Sequence, residues 1–101
     1  MKRISPPPAT AHADDIPLAK LRGLGPKSVM ALARVGITTV AQLREAGSVG
    51  AYEKLVLAGV PVSLNMLWAM EGALSDRDWR VVAKEDRLWL LTELELRGIS
   101  P

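Results

Sequence analysis

The chain contains no cysteine, which excludes disulfides and thiolate metal sites. Its single histidine, His12, lies in a proline- and alanine-rich stretch without helical period, so the part that folds has no histidine to offer as a general base or metal ligand. No apolar run approaches the roughly 18 residues that span a bilayer. Met1-Lys2-Arg3 is basic, but Ser5-Pro6-Pro7-Pro8 follows where a signal peptide would be apolar. The expectation is a cytoplasmic protein with no membrane contact. Acidic residues are missing from Ile16 to Leu43, while Lys20, Arg22, Lys27 and Arg34 all fall in that span and Arg44 follows directly. From Glu71 to Arg97 the balance reverses, with seven acids against five bases. The net charge of +2 thus conceals a basic excess confined to one region. A one-sided excess of that kind is what phosphate binding requires. The plainer alternative is that Arg34 and Arg44 complement helix C-terminal dipoles ahead of Gly36 and Gly47.

What the chain has is a short span rich in turn and helix signals, Leu21-Arg22-Gly23-Leu24-Gly25-Pro26-Lys27-Ser28. Gly23 and Gly25 can both adopt positive φ without steric cost. Leu24 between them can point into a core. Pro26 suits the first position of a helix, where an N–H is not needed. A helix starting there opens backbone N–H groups beside Lys27, a natural seat for a phosphate. The span reads as a helix-hairpin-helix element. Equally, a glycine-bracketed turn is a good way to join two helices with no ligand at all.

With 101 residues, one domain is the prior. Residues 1–15 read as a disordered tail, and residues 16–98 as a helical domain. A short helix is expected from Ile16 or Pro17 to Arg22. A second runs from Pro26 to about Val35, with Val29, Leu32 and Ala33 on its inner face. Ile37-Thr38-Thr39-Val40 has strand propensity, yet Thr39 with Gln42 three residues on makes a capping box for a helix from Val40 to Ala46. Gly47 ends that helix, and Ser48 caps another to about Ala58, with Tyr52, Leu55 and Val56 inward. Ser63 caps Leu64–Leu74, which is apolar nearly all round and therefore belongs at the centre. Asn65 and Glu71 within it need partners, because an unpaired buried polar group is costly. Ser75 or Asp76 opens a last helical region from Asp78 to Arg97, slipping in period near Lys84. Leu88, Leu91 and Leu94 form its inward row, and Trp79, Val81 and Val82 another before the slip. The class is all-α, a compact bundle of five to six short helices holding one helix-hairpin-helix element.

With these helices placed, several segments together resemble the C-terminal domain of the TfoX (Sxy) family of bacterial competence regulators. They are the hairpin span, then Gly36-Ile37-Thr38-Thr39-Val40-Ala41-Gln42-Leu43, Ala51-Tyr52-Glu53-Lys54-Leu55, and Ser63-Leu64-Asn65-Met66-Leu67-Trp68-Ala69-Met70-Glu71-Gly72-Ala73-Leu74 with Trp79. The last run is the most specific, and the likeness covers about residues 18–95. It implies a helical domain of the SAM-like, helix-hairpin-helix kind and a link to transcriptional control of DNA uptake. Relatives with that role carry an N-terminal α/β domain, and here a proline-rich stretch precedes instead. The fold and a contact surface for DNA or protein are what carries over.

Two functional readings follow. In the first, Gly23, Gly25, Lys27 and Ser28 hold a DNA backbone, with Lys20, Arg22 and Arg34 widening the footprint; such contacts position without reading sequence. In the second, Trp89, Leu90 and Leu96 form an exposed patch for a transcription regulator, another protein chain or a weak homodimer. Trp68 and Met70 read as core. Asp76, Asp78, Glu85 and Asp86, mixed with Arg77, Arg80 and Arg87, read as a solvated face with ion pairs and not as a metal site. Gly-Leu-Gly-Pro-Lys-Ser lacks the spacing and preceding strand of a phosphate-binding P-loop. Neither a catalytic set nor a cofactor is expected.

Overall fold

The computed structural model describes residues 16–100; the 1–15 tail and His12 lie outside them. A single 3-10 turn at Leu18–Lys20 is followed by five α-helices: α1 Pro26–Ala33, α2 Val40–Leu57, α3 Leu64–Ser75, α4 Trp79–Glu85 and α5 Arg87–Leu96. The all-α expectation holds. The helix expected before the hairpin is reduced to that one turn, because Pro17 and Leu21 on either side are extended. Leu18 is fully buried all the same.

Ile37–Val40 is not free of strand pairing. Leu18 N–H donates to Thr38 O at 3.1 Å and Val40 N–H to Ile16 O at 2.9 Å, an isolated bridge from the segment before the hairpin. It pins the entry to α2. There the capping box forms as its residues require: Gln42 N–H donates to Thr39 Oγ1 and Thr39 N–H to Gln42 Oε1, both at 3.2 Å. Gly47 breaks α2 with φ 76° and ψ 164°, so 40–46 and 48–57 are two helical stretches. Ser48 does not cap the second stretch with its side chain. Its hydroxyl donates instead to Glu71 Oε1 at 2.7 Å, which gives the glutamate of α3 its partner.

Helix α3 is central, packing on both α2 and α4. Ser63 caps it, accepting from Met66 N–H at 3.2 Å. Leu67, Trp68, Met70, Gly72 and Ala73 are buried along it, while Asn65 is exposed and needs no partner. The chain then reverses sharply. Asp76 takes the left-handed conformation, and Arg77 N–H donates to Gly72 O at 2.8 Å. Asp78, and not Ser75 or Asp76, caps α4, accepting from Arg80 N–H at 2.8 Å.

Several inward faces differ from the periodic reading. On α1 the buried residues are Ser28, Ala31 and Leu32, with Ala33 exposed. Val56 of α2 is exposed, whereas Tyr52 and Leu55 are buried. On the last two helices the break falls at Asp86, with φ −104° and ψ 0°, close to the expected slip. Its buried pair is Leu90 and Leu94, four residues apart, and Leu88 is 80% exposed. Trp79 and Val81 are exposed too, leaving Val82 as the anchor of α4.

Candidate nucleic-acid interface

The hairpin turn spans residues 21–25. Leu21 N–H donates to Leu18 O at 2.9 Å, and Leu24 N–H to Leu21 O at 3.3 Å. Leu24 is buried and pins the turn to the core, as its place between two glycines requires. The two glycines are not equivalent. Gly23 has φ 92°, and a Cβ there would stand 4.0 Å from Ala73 Cα of α3. Gly25 has φ −77° and ψ 165°, the ordinary extended backbone of a helix N-cap, and a Cβ on it would meet nothing within 4 Å. Positive φ is therefore required at Gly23 alone.

From Gly25 the chain enters α1 through Pro26 at its first turn. Among the described residues, the backbone N–H groups of Gly25, Lys27 and Ser28 have no protein acceptor. They open at the positive end of the helix dipole. Lys20, Arg22, Lys27 and Arg34 are all exposed. Ser28 is buried to about the same degree as Ala31, yet it lines a groove beside Gly23 and Lys27.

Two shallow grooves flank α1. One, about 390 Å³, is lined by Gly23, Lys27, Ser28, Ser63, Asn65, Met66, Ala69 and Trp79. The other, about 470 Å³, lies between α1 and the segment entering α3, with Lys27, Met30 and Arg34 on one side and Val60, Pro61, Val62 and Met66 on the other. A third hollow, behind the turn, brings Arg22 and Gly23 to Asp76, Arg77 and Asp78. Its two carboxylates stand beside two guanidinium side chains, whereas no acidic residue lines either groove along α1. The second groove was missed by sequence reasoning, which assigned no element between Ala58 and Ser63. The spacing of Lys27, Met30, Ala31 and Arg34 on one helical face was the available signal.

Of the acidic and basic residues of 71–87, Asp78 pairs with Arg80, and Glu71 and Asp86 pair with Arg77, a set that is more than a solvated face. Arg77 holds Asp86 with both Nη atoms, at 3.3 Å from Nη1 to Oδ1 and closer still from Nη2 to Oδ2. Arg77 Nε donates to Ser75 Oγ at 3.0 Å, and Nη2 lies 3.9 Å from Glu71 Oε2. The hydrogen bond from Arg77 holds the Asp86 carboxyl below the usual carboxylate range, with the Trp89 side chain contributing a smaller hydrogen bond in the same direction. Ser48, Glu71, Arg77 and Asp86 thus join α2, α3 and the α4–α5 break through one polar network. No group of three or more His, Cys, Asp or Glu with metal-holding geometry occurs among the described residues. Trp68 is core.

The predicted partner-binding set is divided. Leu96 is 77% exposed and Trp89 47%. Leu90 is completely buried, on the same face of α5 as Leu94, and must be withdrawn. Leu88 takes its place on the outer face. No described helix is long and apolar enough to cross a membrane.

Residues 15–94 match the family of the TfoX C-terminal domain. No curated protein and no solved structure matches the chain. The chain belongs to the TfoX C-terminal domain family.

Proposed function

We propose that this TfoX C-terminal domain is a non-enzymatic regulatory module that holds DNA backbone without reading sequence, using the hairpin turn and the first turn of α1. The observation that carries the reading is the opening of the Gly25, Lys27 and Ser28 N–H groups beside the exposed Lys27, in a span from Ile16 to Leu43 without a carboxylate. A phosphate there would meet backbone donors, a helix dipole and a mobile cation together. Lys20, Arg22 and Arg34 add long-range attraction. With three or four phosphates neutralised, affinity should fall roughly 40- to 150-fold between about 50 and 200 mM salt.

The test is a fluorescence-anisotropy titration of a labelled random-sequence duplex at both salt concentrations, with Lys27→Glu alongside. Salt-steep binding that disappears in the variant supports the reading. Binding that survives Lys27→Glu, or none at high protein concentration, overturns it.

A second reading, docking or self-association through α5, is favoured by one observation: Leu88, Trp89 and Leu96 are exposed on that helix. Leu88→Ser would abolish such an association and leave duplex binding intact. Leu88 is the better probe than Trp89, because it is the more exposed of the two.

A further inference from the structure

The groove between α1 and the segment entering α3 has properties that a phosphate seat does not need. Its floor is apolar: Ala31 and Val60 are buried beneath it, and Val62 and Met66 are half-buried along it. Met30, in the middle of α1, is 70% exposed at its edge. A methionine left open in this way is an adaptable apolar contact that packs readily against a varied partner. The cations are placed around it with a pattern. Lys27, Met30, Ala31 and Arg34 stand at i, i+3, i+4 and i+7, on one face of the helix. Lys27 and Arg34 are then separated by about 10 Å along the helix axis. Both line the groove, two helical turns apart, and no acidic residue lines it.

We infer that this groove docks an acidic amphipathic helix of a partner protein. The apolar side of such a helix would lie against Met30, Val62 and Met66. Carboxylates two turns apart on its flank would meet Lys27 and Arg34. The charge pattern selects this occupant: a basic helix would be repelled by both cations, and a purely apolar segment would leave them unanswered. The inference does not rest on DNA binding. It does share Lys27 with it, so partner helix and DNA backbone would compete for one end of α1.

The probe is a fluorescein-labelled synthetic peptide about three turns long, with leucines at i, i+4 and i+7 and glutamates flanking them, titrated against the full chain by anisotropy. A second peptide replaces every glutamate by lysine. The expected result is binding of the acidic peptide alone, with amide resonance shifts at Met30, Val62 and Met66. Met30→Ser should weaken it about tenfold, the worth of one buried methionine contact, and should leave duplex binding unchanged. Arg34→Glu should abolish it. Met30 is largely exposed, so its loss does not threaten the fold. Equal binding of both peptides, indifference to Met30→Ser, or shifts confined to Leu88 and Leu96 would overturn the proposal. So would a Met30→Ser-sensitive dimer in sedimentation, which would make a second copy the occupant. Failure of duplex binding with success of the peptide would leave this groove standing and remove only the phosphate reading.

Discussion

At the scale of single residues, three glycines carry different demands. Gly23 is held at φ 92°, a region that costs an L side chain about 1–2 kcal/mol. Gly23→Ala should therefore lower stability by about that amount. Gly25 has a helix N-cap conformation with open space around it. Serine is among the best N-cap residues, so Gly25→Ser should leave the melting temperature unchanged or raise it. Gly72 is constrained by space: a Cβ would lie 2.6 Å from Arg77 O, where the chain reverses after α3. Gly72→Ala gains roughly 1 kcal/mol as a helix former but must displace backbone, at a cost of about 1–3 kcal/mol. Thermal unfolding of the three variants should place Gly25→Ser above the other two. A Gly25→Ser protein as unstable as Gly23→Ala would mean that the turn itself is read incorrectly. The sequence showed that glycine belongs in this turn; it could not show which of the two needs positive φ, because either assignment closes a short turn before Pro26.

At the scale of elements, local signals and long-range packing separate cleanly. Two caps were legible because their chemistry is local: Thr39 with Gln42, and Ser63 before Leu64, each bond within a few residues, whereas Ser48 turned its hydroxyl to Glu71 and Asp78 replaced Ser75 or Asp76. The helix break near the end was legible to within two residues, from the slip in apolar period. The inward face of α5 was legible in part: Leu94 is buried and Leu91 packs against the core, but Leu88 is exposed and Leu90 is buried instead, in the helix that follows the Arg77-held Asp86. The difference has a measurable consequence. Leu94→Ala should cost about 2–5 kcal/mol, as expected for a fully buried leucine. Leu88→Ser should stay within about 0.5 kcal/mol. Urea unfolding of both variants checks this, and a large loss in Leu88→Ser would return α5 to the orientation read from periodicity.

For the whole molecule, the same polar network explains why a break in one helix matters far from it. Ser48 stands at the kink of α2, Glu71 on α3, Arg77 in the reversal and Asp86 at the α4–α5 break, so four separate chain segments meet through these side chains. Each is a serine, acid or arginine of a type common at the surface, and sequence reasoning placed two of them, Arg77 and Asp86, on a solvated face while asking a partner for Glu71. Arg77 acts through the hydrogen bonds it donates to Asp86, which hold that carboxyl below its ordinary range. A lowered folded-state value means that the unfolded chain binds the proton more tightly. The stabilisation is therefore complete above the ordinary aspartate value of about 3.9 and is lost as pH falls through the lowered value of the folded protein. Asp86→Asn removes the titrating group and leaves Arg77 without its anion. Its melting temperature should lie below that of the unaltered protein at neutral pH, and the gap should close as pH drops below about 4. A gap that persists undiminished at acid pH would show that Asp86 acts through shape at the helix break and not through its charge.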